Sequence, residues 1–333
     1  MSLIKKQLPF LILALLVYSW YFFSHLPVQH QRSSVLGANA AVTLFIEPGA
    51  GKQPIIDAIN NARREILVEV YLLSDREIIS ALDDADNRGV SVKVMLEEHP
   101  FGGGNLNTRT AATLQADNIP HKWANPAYAL THEKSIVIDG SEAFILSQNL
   151  TNSSFTKNRE YDVLDTDPTD VTEVRNIFIA DWERQPYTPP QTHLLVSPVN
   201  SRAGITALIE DARQSLAIEI EDINDDEIVS LLSQKAKTIT VRVIVPTLKQ
   251  ISANAGAVEK LQQAGVSVKE IASPHMHAKM ILADETKAYV GSVNFSAQSL
   301  DKNRELGIIL SEQEALRELR STFSADWQVG SSL

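Results

Sequence analysis

The feature that most restricts this chain is that it is written twice. "HEKSIVID" (132–139) is answered by "HAKMILAD" (277–284), and the two begin 277 − 132 = 145 residues apart. "SQN" (147–149) and "SVN" (292–294), "KNRE" (157–160 and 302–305) and "ADW" (180–182 and 325–327) keep that offset. Upstream the offset is 150: "ARREILVEV" (62–70) answers "ARQSLAIEI" (212–220), and "SDREI" (74–78) answers "NDDEI" (224–228). Chance does not hold so many blocks in register, so two copies of one domain are expected. The first copy carries 150 − 145 = 5 extra residues, expected in the glycine loop "HPFGGGNLN" (99–107).

The 333 residues accommodate two domains of about 150 residues each. "QPIIDAINNARRE" (53–65) spaces Ile55, Ile56, Ile59 and Ala62 as a helix does. "ILVEVYLL" (66–73) and "VSVKVML" (90–96) have the β-branched content of strands. Ser74 with Glu77, and Asn224 with Glu227, are expected as capping boxes of the next helix. The fold class is therefore α/β, with two lobes related by a pseudo-twofold axis, each a mixed sheet flanked by helices. The first lobe is expected over 42–185 and the second over 193–330, with a linker at 186–192 inside the proline-rich "RQPYTPPQT".

Residues 1–28 read differently. After Lys5 and Lys6, no side chain from Leu8 to Val28 is formally charged, which is about the length of a membrane-spanning helix. Tyr18, Trp20, Tyr21, Phe22 and Phe23 suit an interfacial belt, and the lysines predict a cytoplasmic N-terminus. A single-pass signal-anchor is expected, followed by a linker at 29–41, with the catalytic part on the periplasmic (extracytoplasmic) side of the inner membrane. A cleaved signal peptide ending at Ala38-Asn39-Ala40 is the competing reading, disfavoured because that site lies far beyond the apolar run. The absence of cysteine excludes disulfides, thiolate metal sites and a thiol nucleophile. The net charge of −11 argues against a protein that coats a polyanion, while leaving room for a locally basic cleft.

On a strand, residues i and i+2 share a face. His132 and Lys134 therefore point one way, with Ile136 and Ile138, and His277 and Lys279 do the same with Ile281 and Ala283. Asp139 and Asp284 fall at strand ends, in "DGSE" and "DETK", which suit tight turns. The chain returns on "AFILSQN" and "AYVGSVN", where Ser147 and Asn149, or Ser292 and Asn294, share a face. Each hairpin thus offers an imidazole, an ammonium and an amide. Brought together, two such sets suit phosphodiester chemistry. One neutral imidazole attacks phosphorus, the other, protonated, donates to the leaving alkoxide, and lysines and asparagines hold the non-bridging oxygens. No metal or other cofactor is expected, since no carboxylate–histidine cluster stands out to hold one.

H-x-K-x4-D followed by G-S-x-N, present twice, resembles the phospholipase D superfamily, also called the HKD family. The resemblance covers roughly 42–330. It implies two phospholipase D-like lobes, one site between them and metal-independent phosphohistidine chemistry, with His132 as nucleophile and His277 as acid/base. It also implies that Glu160 and Glu305, each 28 residues after its half's histidine (160 − 132 and 305 − 277), orient a catalytic imidazole. One departure stands out: Leu146 takes the place of Gly291, which bears on local packing more than on chemistry.

Several residues have two readings. Glu69 and Glu219 sit mid-strand in apolar runs and either face the inter-lobe cleft with a lysine or polar partner, or lie exposed on an edge strand. His275, matched by Leu130 in the other copy, is expected in a turn or at the cleft. Trp182 and Trp327 are expected in the core of each closing helix. Phe101, Trp123 and Tyr128 either line a lipid-accepting mouth or pack as ordinary loop residues.

The expected activity is a phospholipase D or phosphatidyl transferase acting on the phospholipid bilayer, monomeric for catalysis, with water or an alcohol as acceptor. A metal-independent nuclease is the alternative, and a catalytically inactive membrane-anchored scaffold is disfavoured by the intact doubled motif.

Overall fold

The structure, a computed structural model, describes residues 42–190 and 193–333. The expected membrane span, its linker and the Ala38-Asn39-Ala40 site lie outside the described residues, as do Gln191 and Thr192 of the inter-lobe linker. Among the described residues no helix is long and apolar enough to cross a membrane.

The first half contains β1 (Val42–Glu47), α1 (Gln53–Asn61), β2 (Glu65–Val70), α2 (Arg76–Asn87), β3 (Ser91–Leu96), α3 (Leu106–Ala116), β4 (His121–Trp123), β5 (Lys134–Ile138), β6 (Glu142–Leu146), α4 (Asn152–Lys157), β7 (Asn158–Asp165) and α5 (Pro168–Glu183). The second half runs β8 (Leu194–Ser197), α6 (Ser201–Asp211), β9 (Ser215–Ile220), α7 (Asp226–Lys235), β10 (Thr240–Pro246), a 3-10 turn (Ser252–Asn254), α8 (Ala255–Gln263) and β11 (Ser267–Ile271). It continues with β12 (His275–Met276), β13 (Lys279–Ala283), β14 (Lys287–Gly291), α9 (Ala297–Asp301), β15 (Glu305–Leu310), α10 (Gln313–Val329) and β16 (Ser331–Ser332).

Each half builds one mixed sheet. The orders are β1-β7-β6-β5-β2-β3-β4 and β16-β11-β10-β9-β13-β14-β15-β8, with β2, β3 and β4 parallel in one and β9, β10 and β11 parallel in the other. Strand alternation divides the core. In β2, Ile66, Val68 and Val70 face the helical layer, while Leu67 faces the space between the sheets. In β9, Leu216, Ile218 and Ile220 face outward and Ala217 inward. The middle layer is common to both halves: Val137, Ile145 and Val163 meet Met280, Leu282, Val290 and Ile308, with Ile177 and Phe178 of α5 and Leu319 and Phe323 of α10 beside them. Trp182 and Trp327, expected in the core, are partly buried at its rim, stacked on Phe178 at 5.6 Å and Phe323 at 5.8 Å, with Lys122 and Lys269 over their rings.

Two local expectations are corrected. The helix caps are Asp75 and Asp225, one residue after the expected Ser74 and Asn224. Asp75 accepts from the Glu77 and Ile78 amides (3.1 and 3.3 Å) and Asp225 from Ile228 (3.0 Å). A carboxylate is the stronger acceptor at a helix N-terminus. It also meets a cation in each lobe, Lys52 at 2.8 Å and Arg202 at 2.8 Å, residues that are themselves 202 − 52 = 150 apart. The five extra residues are also divided. Asn107 accepts from the Leu73 amide and Asn254 from Ile223, at an offset of 254 − 107 = 147. Met95 and Ile244, the register partners of Glu69 and Glu219, are 244 − 95 = 149 apart, so one extra residue (150 − 149) falls between the cap of α2 and β3, two (149 − 147) in the glycine loop, and two (147 − 145) between Asn107 and the first motif.

The halves are tied by groups that cross between them. β12, from the second half, pairs with β7 of the first, and Thr131 bridges to Arg304 in the reverse sense. Arg304 is fully buried and grips Asp181 of α5 with Nε–Oδ2 2.6 Å and Nη2–Oδ1 2.9 Å. Its mate Arg159 grips Asp326 of α10 with Nε–Oδ2 2.6 Å and Nη2–Oδ1 3.0 Å. Removing one member of such a pair strands a buried charge, so Arg304→Met is expected to cost about 3–5 kcal/mol in urea unfolding. Arg304→Met with Asp181→Leu is expected to recover at least about half of that loss, because no lone charge is left at the pair.

Candidate active site

The parallel strands β2 and β9 each end beside the motif hairpin of their own lobe, and the cleft opens at their carboxyl ends, where such sheets present ligands. Its volume is about 520 Å³. Tyr71, Leu72, Phe101, His132 and Asn149 line it from the first half, and Glu221, Asp222, Gln250, Ile251, Ser252, Ala253, His277 and Asn294 from the second.

Each histidine is held by the opposite lobe. The His132 and Glu133 amides donate to the Arg304 carbonyl (2.8 and 2.9 Å), and the His277 amide donates to the Arg159 carbonyl (3.3 Å). The side chains follow: His132 Nδ1 lies 2.9 Å from Glu305 Oε2, and His277 Nδ1 lies 2.7 Å from Glu160 Oε1. The repeat spacing associates each glutamate with its own half, but the contact is exchanged. Alternation along β7 and β15 sends Glu160 and Glu305 one way and the neighbouring arginines the other. Glu160 also accepts from Ser147 Oγ (2.7 Å) and Asn158 Nδ2 (2.9 Å), and Glu305 from Ser299 Oγ and Asn303 Nδ2 (3.2 Å). Burial alone raises both carboxyl pKa values, but the paired imidazole, the nearby lysine and these hydrogen bonds carry them below the ordinary value. Both are carboxylates at neutral pH, each fixing an Nδ1 and leaving Nε2 for the cleft.

Lys134 and Lys279 are fully buried and donate to the carbonyls of His132 and His277, each at 2.5 Å. Lys279 also meets Glu221 Oε2 at 2.7 Å. Lys134 has no carboxylate at ion-pair distance among the described residues, and instead lies over the Tyr71 ring, 5.3 Å from its centre. Burial, with Lys279 adding to it and Glu305 opposing, pushes Lys134 down to about 7. Asn149 presents a buried Oδ1 with no hydrogen-bond partner among the described residues. Asn294 accepts from the Asp222 amide at 3.2 Å and donates to Glu221 at 3.3 Å.

The remaining motif residues lie behind the cleft. Asp139 accepts from the amides of Arg63, Arg64 and Glu65 (2.9, 2.7 and 3.0 Å), and Asp284 from those of Arg213, Gln214 and Ser215 (2.7, 2.7 and 2.8 Å). Both sit at φ near +53°, in the hairpin turns at the far ends of β5 and β13, and hold the starts of β2 and β9. Ser147 accepts from the Tyr161 amide (2.9 Å), and Ser292 likewise accepts from the equivalent Leu306 amide (3.1 Å) while its Oγ also lies 3.2 Å from the Leu306 carbonyl. The Gly291/Leu146 exchange has a packing cause. A Cβ on Gly291 would lie 2.3 Å from Gly307 Cα and 2.8 Å from the Tyr289 hydroxyl. The first lobe has Phe144, Leu146 and Asp162 at the corresponding places, offset by 145, with no hydroxyl and no second glycine.

Glu69 and Glu219 are fully buried on central strands, so exposure on an edge strand is ruled out, and neither meets a lysine. Glu219 accepts from the Tyr161 hydroxyl at 2.6 Å. Glu69 clusters with Glu133 and Asp181, with carboxylate oxygens within 4.8 Å of one another. Burial first and then its two acidic neighbours raise Glu69 well above the carboxylate range, and burial brings Glu133 up to about 7. With the Arg304 guanidinium already bound to Asp181, this cluster suits protons better than a cation. His275 stands beside the cleft, its ring centre 6.5 Å from that of His277. Of the three aromatics considered for a mouth, Phe101 lines the cleft. Trp123 lies in β4, and Tyr128 stacks on the Arg304 guanidinium at 4.2 Å.

Sequence reasoning missed Tyr71, Glu221, Glu133 and the exchanged Arg–Asp pairs. The pairs had a signal, since both residues recur in the blocks that define the repeat. Tyr71 and Glu221 also had one, as a mismatch at an offset of 221 − 71 = 150.

The profile of the family described as "Cardiolipin synthase, PLD-like domain" matches residues 55–182 and 205–327. Cardiolipin synthase 1 of Bacillus cereus is 22% identical over 82% of this chain and 64% of its own length, so the chain spans less than two thirds of that relative. A phospholipase D of Rickettsia bellii is 28% identical over 48% of this chain and 77% of its own. Among solved structures, phosphatidylserine synthase of Haemophilus influenzae superposes with a TM-score of 0.68 at 14% identity, covering 90% of this chain and 88% of that one. Polyphosphate kinase of Porphyromonas gingivalis gives 0.68 at 16% identity, over 86% of this chain and 50% of that one. With the family profile matched in both halves and the same fold in those neighbours, the chain belongs to the phospholipase D superfamily, in the cardiolipin synthase, PLD-like domain family.

Proposed function

We propose that the chain cleaves membrane phospholipid at the phosphodiester and passes the phosphatidyl group to water or an alcohol through a covalent phosphohistidine. The observation that carries this reading is the pair of imidazoles, each with Nδ1 held by a carboxylate of the other lobe and Nε2 left for one cleft. His132 Nε2 attacks phosphorus and the leaving oxygen takes the proton of His277. His277 then removes the proton of the incoming water or alcohol, whose oxygen displaces His132 from phosphorus. Lys134, Lys279, Asn149 and Asn294 hold the non-bridging oxygens, and these buried cations supply the charge compensation the transition state needs without a metal.

Lipid is favoured over nucleic acid by the walls of the cleft. The second-lobe wall carries the carboxylates of Glu221 and Asp222, which oppose a polyanion running through it. The first-lobe wall carries Tyr71, Leu72 and Phe101, the last 92% exposed. The names of the Bacillus and Rickettsia relatives point the same way. A site at the outer face of the cytoplasmic membrane, held by the N-terminal apolar segment, fits that substrate.

His132→Ala and His277→Ala are each expected to lower turnover at least about 10³-fold, and wild-type activity is expected to survive EDTA. The test incubates the full chain with mixed phospholipid vesicles, ethanol and EDTA, and reads products by mass spectrometry beside a tube of single-stranded DNA. Phosphatidic acid or phosphatidylethanol is expected; shortened DNA with untouched lipid would replace this reading by a nuclease.

A pH dependence follows from His132. Burial lowers its pKa below the ordinary 6.5, with Glu305 opposing. The attacking form is the neutral one, so kcat/KM is expected to hold as pH falls to 6.5 and to drop only below it. Glu305→Gln removes the opposing carboxylate, and is expected to move that acid limb lower still while slowing the reaction.

A further inference from the structure

Two histidines with near-identical surroundings do not by themselves show which is the nucleophile and which the acid. Both have Nδ1 on a buried glutamate and a lysine two residues on. What differs is the residue that follows β2 or β9 and faces the ring from the cleft. In the second lobe it is Glu221, whose Oε2 lies 3.5 Å from His277 Nε2, 2.7 Å from Lys279 Nζ and 3.3 Å from Asn294 Nδ2. In the first lobe it is Tyr71, edge-on to the His132 ring at 4.8 Å between centres, with its hydroxyl turned away onto the Phe101 backbone.

We infer that Glu221 is the positioning residue that makes His277 the proton donor. Resting on the phosphohistidine reading above, its carboxylate holds the proton on His277 Nε2 until the leaving oxygen takes it. A doubly protonated His277 ring faces a carboxylate on both sides, Glu160 at 2.7 Å from Nδ1 and Glu221 at 3.5 Å from Nε2. His132 has a carboxylate at Nδ1 and an aromatic ring where the second would be, so its Nε2 lone pair stays available for attack. The step balances: the His132 Nε2–P bond forms, the P–O bond breaks, and one proton moves from His277 Nε2 to the departing oxygen. The acceptor's O–H proton returns to that nitrogen as the N–P bond breaks. Glu221 is poorly suited to be a base itself. Burial alone would raise its pKa, but His277 and Lys279 carry it far below the ordinary carboxylate value.

Glu221 also binds Lys279, so the test must separate proton donation from mere support of the lysine. Full-length wild type, Glu221→Gln and Glu221→Asp are compared on phosphatidylglycerol vesicles and on the p-nitrophenyl ester of phosphatidic acid in the same vesicles. The nitrophenolate leaves without a proton, whereas glycerol needs one. Glu221→Gln is expected to lose about 10²-fold on phosphatidylglycerol and at least about tenfold less on the nitrophenyl ester. Glu221→Asp is expected to recover part of that discrimination. Equal losses on both substrates, or no loss on either, would overturn the assignment. A wild type that turns over both substrates with no acid-labile phosphohistidine after rapid quench would strike at the phosphohistidine reading, and the role of Glu221 would fall with it.

Discussion

The exchange of charged side chains between the lobes is the constraint on which the rest of the structure depends. Two consecutive residues, Arg159-Glu160 in one half and Arg304-Glu305 in the other, point to opposite faces because strand side chains alternate. The glutamate reaches the other lobe's histidine and the arginine reaches the other lobe's closing helix. Neither half alone contains an oriented imidazole or a neutralised Arg–Asp pair. A separated lobe would expose the middle apolar layer and leave buried charges alone, both at high cost. Duplication has therefore produced one unit from two, with the site at the seam.

Burial at that seam also sets the chemistry. Lys134 and Lys279 are fully buried, yet only Lys279 has a carboxylate at ion-pair distance among the described residues. With Lys134 brought down to about 7, the cleft is short of one counter-charge beside His132. On the reading proposed above, a phosphodiester monoanion supplies it, favouring the protonated lysine as it binds. The second lobe already holds its negative charge in Glu221, which is why the two ends of the cleft treat a proton differently.

The pseudo-symmetry is kept where the backbone needs it and dropped where side chains meet. Asp139 and Asp284 tie three amides each in the same way, and Asp75 and Asp225 cap equivalent helices. In the middle layer Tyr161 faces Glu219, whereas Leu306 stands at the place equivalent to Tyr161 and Glu69 is left to Glu133. Gly291 and Gly307 clear the space filled by the Tyr289 ring, and Leu146 and Asp162 fill it beside the smaller Phe144. Each lobe has compensated for its own substitutions locally, so two unlike interiors support one backbone plan.

From the sequence alone came the duplication, the α/β class and the residues His132, Lys134, Asn149 and Glu160 with their second-half mates, because a repeated register and a strand's period of two are local properties. The caps slipped by one residue, since Ser74 and Asp75 both suit a helix start and the choice rests on Lys52, 23 residues away. Glu69 and Glu219 could not be placed, because whether a mid-strand carboxylate is exposed depends on the sheet's neighbours. Tertiary structure alone decided that the orienting glutamates cross between lobes, that Arg159 and the fully buried Arg304 pair with Asp326 and Asp181, and that Tyr71 and Glu221 face the two imidazoles. Those contacts join residues up to 305 − 132 = 173 positions apart, as between Glu305 and His132, and no local pattern encodes a distance that only the packing of one lobe on the other creates.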